Sequence, residues 1–278
     1  MRYSKLLLLL LLILTFAFTL SGYAANNGTD NASQSAYSSS WSTGANGSAS
    51  GDAFLPWTLA TTGTGFEGFF IGNSTNLNSG SGANINVNGD SWGMYANTDP
   101  TTPGSATAVR MFTSDGTDIG SLGAGQTFSI NIAVNFNNGG DKGIDLLDST
   151  GDFLFDLNIG EDAYVVNNAT TGTGDLPNQS YSANTAFALT FTQTSLTSGT
   201  WSVARSGGQT DLAGGTYTGD AAGVKLYVNN TSTNGPQDDL YANSMSITSA
   251  VPEPSTVGLL ACGTGVLILW KRSRRRVV

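Results

Sequence analysis

Residues 128–136, FSINIAVNF, give the clearest secondary-structure pattern in this chain of 278 residues. Apolar and polar side chains alternate along the stretch, as they do on a β-strand with one buried face. The apolar face comprises Phe128, Ile130, Ile132, Val134 and Phe136. The stretch therefore predicts a strand that packs on a core through that face.

The residues that follow repeat this pattern between turn sequences. Turns rich in Asn, Asp and Gly occupy residues 137–141 and 148–152, and each leads into another apolar run. In residues 153–159 the side chains of Phe153, Phe155, Leu157 and Ile159 are expected to line one face. We therefore expect residues 128–166 to form a meander in the middle of one sheet.

About a dozen short strands at roughly ten-residue spacing are predicted in all, with no helix outside the two ends. This pattern favours an all-β fold, an antiparallel β-sandwich of the jelly-roll type, over residues 52–250. A loop is expected at residues 172–180. The predicted strands are residues 54–59, 66–72, 85–87, 91–96, 106–112, 128–136, 143–147, 153–159, 164–166, 186–194, 200–205, 223–229 and 240–248. The pattern is similar to that of concanavalin-A-like lectin and carbohydrate-binding jelly rolls, without a diagnostic motif.

The first 24 residues have the order of a secretory signal peptide, expected to be helical. Arg2 and Lys5 precede an apolar run at residues 6–20, and small residues follow. Gly22 and Ala24 place the predicted cleavage after Ala24, by signal peptidase. An uncleaved N-terminal anchor is the alternative. Residues 25–51, rich in Ser, Asn and Gly, are expected to form a flexible or loosely docked lead-in.

The last 28 residues contain three pieces in a fixed order. A proline-rich motif comes first, an uncharged apolar run at residues 257–270 second, and a basic cluster third. The apolar run is expected to form a transmembrane helix, and basic residues after such a helix stay on the cytoplasmic side, which places the preceding domain outside. The motif is Val251, Pro252, Glu253, Pro254, Ser255 and Thr256, and the cluster is Lys271, Arg272, Arg274, Arg275 and Arg276.

Residues 251–278 resemble the PEP-CTERM sorting signal of Gram-negative bacteria. The resemblance implies an exosortase, a membrane enzyme that processes the tail, and delivery from the inner membrane to the cell envelope or extracellular matrix. An ordinary single-pass membrane anchor is the alternative. Residues 257–270 are shorter than the roughly 20 residues that span a bilayer.

The charge of the exported part excludes one class of partner. The chain has 11 Lys and Arg and 20 Asp and Glu. Two basic residues precede residue 25, and five basic residues and one acidic residue follow residue 250. Residues 25–250 therefore carry 19 acidic and 4 basic residues, a net charge of −15. Such a domain repels nucleic acid and anionic membrane surfaces.

The residue types also exclude several catalytic sites. There is no His, and the one Cys, Cys262, lies in the apolar tail. This excludes a Ser-His-Asp triad, a Cys-His dyad and a zinc site built on His or Cys in the exported domain. A carbohydrate-active enzyme, a glycosidase or lyase using Asp carboxylates, stays open, because two carboxylates suffice for glycoside hydrolysis.

Calcium is the metal ion that the remaining ligand types suit, because Ca²⁺ takes carboxylate and carbonyl oxygens. The weak candidates are Asp145, Asp148, Asp152, Asp238 and Asp239. None fits the EF-hand spacing, and Asp is also an ordinary turn residue, so the sequence assigns no metal and no cofactor.

Aromatic side chains are the candidate platforms for stacking on sugars: Trp41, Trp57, Trp92, Trp201, Tyr181 and Tyr217. At each of them core packing is favoured over an exposed platform. The sequence therefore favours an exported structural or adhesive matrix protein that binds exopolysaccharide, with the carbohydrate-active enzyme as the alternative. Convergent carboxylates in a groove beside an exposed Trp would favour the enzyme.

Overall fold

The computed structural model describes residues 24–48, 52–63, 66–98, 102–231 and 235–249. The predicted signal peptide before Ala24 and the predicted sorting motif, apolar run and basic cluster lie outside the described residues. No described residue belongs to a helix with the length and apolarity that a membrane crossing requires.

Within the described ranges the chain forms fifteen strands and three short 3₁₀ helices, Ser35–Tyr37, Ser74–Asn78 and Gly235–Asp238. In chain order the strands are β1 (Gly28–Asp30), β2 (Thr58–Thr62), β3 (Glu67–Gly72), β4 (Ser91–Ala96), β5 (Ser105–Met111), β6 (Gln126–Val134), β7 (Asp141–Leu147), β8 (Phe153–Gly160), β9 (Ala163–Asn168), β10 (Gly172–Asp175), β11 (Thr185–Ser195), β12 (Ser198–Ser206), β13 (Asp211–Thr218), β14 (Gly223–Asn229) and β15 (Leu240–Ser249).

The strands build two antiparallel sheets. The eight-stranded sheet has the order β13-β12-β11-β6-β15-β4-β3, with β1 paired to β15. The seven-stranded sheet has the order β10-β9-β8-β7-β14-β5-β2. One hydrophobic core contains residues from both sheets. The predicted all-β antiparallel sandwich is confirmed, and the many neighbours that are distant in sequence make it jelly-roll-like.

The strand at residues 128–136 forms largely as its alternation predicts. β6 pairs with β11 so that Phe128 lies opposite Phe191 and Ile130 opposite Leu189. Phe128, Ile130, Ile132 and Val134 are all buried. Burial of a side chain of this size contributes about 1.5 to 3 kcal/mol. β6 therefore anchors the core of the eight-stranded sheet.

The expectation that residues 128–166 share one sheet is wrong. β6 lies in the eight-stranded sheet, whereas β7, β8 and β9 lie in the seven-stranded sheet. The chain changes sheets in residues 135–140, where Gly139 and Gly140 adopt positive φ angles of 68° and 85°. Such angles suit glycine because it has no Cβ. The NNGG sequence there is thus a crossover between layers.

The lead-in is more tightly packed than its composition predicts. The Trp41 ring lies 5.1 Å from that of Trp57 and 5.4 Å from that of Phe69, centroid to centroid. Tyr37 packs edge-on to Trp92 at 5.4 Å. Tyr37 and Trp41 are 1% and 3% exposed. Two aromatic side chains thus pack this polar segment against the core.

Two predicted strands at the start of the sandwich are smaller than expected. Phe54 makes only an isolated bridge with Phe112, and β2 begins at Thr58. The alternation at residues 85–87 leaves only a bridge between Val87 and Asp90. The loop expected at 172–180 contains the short strand β10.

Candidate functional site

A polar groove of about 560 Å³ lies against the seven-stranded sheet. It is lined by side chains from six strands, β5, β7, β8, β9, β10 and β14. The residues whose chemistry matters most are Asp145, Asp156, Asn158, Asn167, Lys225 and Tyr227. They form a continuous polar surface across neighbouring strands.

Strand alternation places these side chains outside the core. In β7 the buried core residues Ile144 and Leu146 flank Asp145, and in β8 the core residues Phe155 and Leu157 flank Asp156. β14 repeats the arrangement with apolar residues at 224, 226 and 228. Because successive side chains on a strand point to opposite faces, the polar residues between them share the outer face.

Two carboxyl groups meet at the centre of the groove. Asp145 and Asp156 are directly opposite each other in the ladder of β7 and β8, and their side chains share a hydrogen bond. The Tyr227 hydroxyl donates to Asp156 Oδ1 at 2.6 Å. Asn167 Nδ2 donates to Asp156 Oδ2 at 2.6 Å. On the other side of the pair, the ammonium of Lys225 forms an ion pair with Asp145.

This environment shifts the pKa values of two side chains in the groove, Asp156 and Tyr227. Burial raises the pKa of Asp156 to about 7, and the charge of Asp145 acts in the same direction, while hydrogen bonds from Tyr227 and Asn167 oppose the shift. Burial and the nearby Asp156 also raise the pKa of the Tyr227 phenol. The carboxyl pair therefore holds one proton up to near-neutral pH, and Tyr227 stays protonated.

The raised pKa of Asp156 predicts a pH-dependent stability. From about pH 4 to about pH 7 the unfolded chain has lost the Asp156 proton while the folded protein keeps it, so the free energy of unfolding falls over this range. We expect Asp156→Asn to raise the melting temperature at pH 8 by about 3 to 8 °C and to leave it nearly unchanged at pH 4. Thermal unfolding followed by circular dichroism at both pH values measures the difference.

Asp148→Asn is the matched control for that experiment. Burial alone would raise the pKa of Asp148, but hydrogen bonds from Thr150, Asp152 and Gly151 lower it. Removing this carboxylate should therefore lower the melting temperature at pH 8, the opposite sign. A stabilising effect of Asp156→Asn that is as large at pH 4 as at pH 8 would contradict the assigned pKa.

Gly143 makes room for Tyr227. The two residues are opposite each other in the ladder of β7 and β14. A Cβ added at Gly143 would lie 2.5 Å from the Tyr227 hydroxyl and 2.1 Å from the Leu157 carbonyl oxygen, closer than real Cβ contacts. The missing side chain thus lets the tyrosine lie flat over β7 and reach Asp156 on β8.

Phe153 faces the groove instead of the core. The β7–β8 register shifts by one residue, so that Leu146 pairs with Phe155 and Leu147 with Phe153. Leu154 is buried as a result, and Phe153 is 48% exposed at the groove. The expectation that Phe153 shares the face of Phe155 is wrong, because a β-bulge inverts the side-chain direction.

The five calcium candidates separate into three places. Asp145 is in the ion pair with Lys225, and Asp148 and Asp152 lie in the β7–β8 turn, where Asp148 Oδ1 accepts from the Thr150 and Asp152 amides. Asp238 and Asp239 lie near buried Lys142. Burial raises the pKa of Asp239 to about 8. Among the described residues, no three or more His, Cys, Asp or Glu side chains converge as metal ligands would.

The candidate aromatic platforms lie mainly in the core. Trp57 and Trp92 are at most 1% exposed and Trp41 is 3% exposed, while Trp201 packs on Phe155 at 5.0 Å. Tyr217 is buried, and only Tyr181 is exposed, at 48%, beside a second pocket of about 360 Å³. None of these lines the groove. The favoured interpretation, core packing, is confirmed for the tryptophans and Tyr217 and is wrong for Tyr181.

Sequence reasoning missed Asp156, Asn167, Lys225 and Tyr227 as a group. Asp156, Lys225 and Tyr227 each lie between apolar residues of a strand, and Asn167 follows Val166 at the end of β9. In sequence, 71 residues separate Asp156 from its partner Tyr227. One feature of the sequence could have pointed to this group of residues. Lys225 is one of only four basic residues between positions 25 and 250, and it lies in the middle of an apolar strand.

No family model and no curated protein matches the chain. Among solved structures, it is similar to an endo-β-1,4-glucuronan lyase from the fungus Trichoderma reesei at 10% identity, over 68% of this chain and 90% of that one, with a TM-score of 0.39. An alginate lyase from Corynebacterium sp. matches at 14% identity over 51% and 68%, with a TM-score of 0.36. The receptor binding domain of botulinum neurotoxin D matches at 8% identity over 74% and 48%, with a TM-score of 0.37. At this level of similarity, function has to be argued from this chain's own residues.

Proposed function

We propose that this chain is an exported surface or extracellular-matrix protein, and that its groove binds a segment of exopolysaccharide. The observation that carries the proposal is the open groove itself, which combines amides, carboxyls and a phenol with an exposed Phe153 at its side. Sugar-binding sites pair an aromatic face with groups that hydrogen-bond hydroxyls. The groove crosses five strand spacings of about 4.8 Å each, a span of about 24 Å that accommodates several sugar units.

Binding is favoured over catalysis by the state of the central groups. Tyr227 has a raised pKa, so it is not a ready base. The two carboxyls share a hydrogen bond, whereas the carboxyl groups of glycosidases lie about 5 to 10 Å apart on either side of the bond that breaks. Every group at the centre is already engaged in a hydrogen bond or ion pair. Such an arrangement holds a fixed binding surface.

We expect Phe153→Ala to weaken glycan binding by about five- to tenfold, because it removes the aromatic face from the groove. Leu212→Ala is the matched control, since Leu212 is 71% exposed on β13 of the other sheet. Binding to the exopolysaccharide of the producing cells, measured by sedimentation with the polymer, provides the readout. Equal binding by the two variants would contradict the placement of the site.

A second candidate function is cleavage of the bound polysaccharide. One observation favours it, the raised pKa of Asp156, which lets that carboxyl donate a proton near neutral pH as a general acid does. The criterion of convergent carboxylates in a groove is met, although Phe153 takes the place of the expected exposed Trp. The sedimentation experiment with the polymer also tests for cleavage, because the incubated polymer can be analysed for products. If the wild type forms new reducing ends or unsaturated products and Asp156→Asn does not, the groove has an enzymatic role in place of the proposed binding role.

The proposed location rests on the two ends of the sequence. In this scheme signal peptidase cuts after Ala24, and an exosortase-type enzyme processes the motif at Val251–Thr256 while the membrane run and arginine cluster hold the tail. Ala24 is exposed and makes an isolated bridge to Ser121. The domain's net charge of −15 supports a soluble matrix component that does not bind nucleic acid.

Mass spectrometry of the protein from cells and medium tests this location. We expect the measured mass to correspond to a mature chain that begins at Ala25 and ends near Pro252–Ser255. In cells without the exosortase, the C-terminal cut should be lost. A chain intact to Val278 in the inner membrane of cells that have the enzyme would contradict sorting and leave an anchored β-domain.

A further inference from the structure

The groove carries more negative than positive charge. Three carboxyl side chains line it, Asp141, Asp145 and Asp156, together with a single ammonium, that of Lys225. Two ionised carboxylates against one ammonium leave a net charge of −1 while Asp156 keeps its proton, and ionisation of Asp156 adds a second negative charge. An anionic ligand therefore meets repulsion here.

No unengaged basic group lies at the groove to offset this charge. Lys225 is paired with Asp145. The only other basic residues between positions 24 and 249 are Arg110, Lys142 and Arg205, which are at most 3% exposed and do not line the groove. Arg110 is committed to Asp30, and Arg205 to the carbonyls of Asn178 and Ser180. A carboxylate on a ligand would lose its hydration without gaining a cation or a bidentate partner.

The remaining polar lining is uncharged. Asn158, Asn167 and Asn229 supply amides, and Thr107 and Thr173 supply hydroxyls. Amides and hydroxyls both donate and accept hydrogen bonds, which matches the hydroxyls of a neutral sugar. The net charge of −15 on residues 25–250 adds a long-range repulsion of polyanions.

We infer that the groove selects uncharged polysaccharide and excludes polyuronates. This inference rests on the proposed function, because it names the class of glycan that the same groove takes. The carboxyl pair accepts hydrogen bonds from sugar hydroxyls, Phe153 provides the apolar face, and the committed Lys225 gives no counter-charge to a uronic acid. The groove discriminates between neutral and uronic-acid glycans through the repulsion as much as through its contacts.

A glycan array tests the inference with the protein purified as the cell makes it. The array presents neutral, uronic-acid and amine-bearing oligosaccharides at physiological salt, with Phe153→Ala as the probe for binding at the groove. We expect the protein to be retained on neutral glycans alone, and we expect Phe153→Ala to reduce that retention. Groove-dependent retention on uronic-acid glycans, or on amine-bearing glycans alone, would overturn the inference and leave polysaccharide binding intact. No retention on any glycan would overturn both.

Charge variants test whether electrostatic repulsion causes this selectivity for uncharged glycans. We expect Asp145→Asn, which releases Lys225, to increase binding of polygalacturonate by about tenfold relative to Asp175→Asn. Asp175 is exposed on β10, so the control removes the same charge away from the groove lining. Thr107→Lys serves as a second gain-of-charge variant, and Thr190→Lys, at an exposed position of β11 in the other sheet, serves as its control. Folded variants that bind polygalacturonate no better than their controls would overturn the electrostatic account.

Discussion

Arg110→Met is expected to lower the free energy of unfolding by about 3 to 5 kcal/mol, because it leaves a buried carboxylate without its counter-charge. Arg110 and Asp30 are 0% and 1% exposed, and the Arg110 guanidinium lies 2.7 Å from Asp30 Oδ2. The same guanidinium donates to the Tyr37 hydroxyl at 2.9 Å and to Asn46 Oδ1 at 2.6 Å. Urea unfolding followed by tryptophan fluorescence measures the loss.

The double variant Arg110→Met/Asp30→Asn separates the ion pair from the packing. It removes both charges, so it should recover part of the stability that the single variant loses. The part that stays lost reflects the guanidinium packed 5.3 Å from the Phe54 ring and 5.0 Å from the Trp57 ring. If Arg110→Met costs less than about 1 kcal/mol, the pair does not attach the N-terminal segment to the sandwich.

The second large effect is expected at Arg205. Its guanidinium lies 4.1 Å above the Tyr164 ring and donates to the carbonyls of Asn178 at 2.9 Å and Ser180 at 2.7 Å. Arg205→Met leaves those acceptors without this donor and should cost about 2 to 4 kcal/mol. Amide hydrogen exchange should rise most in residues 177–183, the segment that the arginine holds against the sheet.

Arg205→Lys is the informative control, because lysine keeps the charge but has no planar fork for several acceptors. An intermediate loss of stability is expected for it. If Arg205→Lys equals the wild type, charge alone is sufficient and the multiple hydrogen bonds do not hold the segment. Unchanged exchange in residues 177–183 of Arg205→Met would likewise place the effect elsewhere.

Strands with one buried face could be predicted from sequence, and strands with little burial could not. Residues 91–96 and 223–229 were predicted with the bounds of β4 and β14, because their apolar residues face a core. β10 and β13 were missed. Each lies at one end of its sheet, β10 is exposed along its whole length, and both contain glycine. An edge strand that buries little leaves little hydrophobic pattern to detect.

The groove was beyond sequence reasoning for a different reason. Asp145, Asp148 and Asp152 are close in sequence and were all named as calcium candidates, yet a strand holds the first and a turn the others. Asp145 instead meets Asp156 across a ladder and Lys225 across another. Those neighbours are set by the crossovers of the sandwich, which depend on the global arrangement of the strands.

The position of β15 has a consequence for the order of folding if the chain is exported as proposed. β15 is the last strand of the described chain, yet it lies inside the eight-stranded sheet between β6 and β4 and also pairs with β1. A chain that crosses a membrane from its N-terminus cannot complete this sheet until residues 240–249 emerge. Non-local strand pairs such as these also favour slow folding. Completion of the eight-stranded sheet would thus wait for the end of translocation.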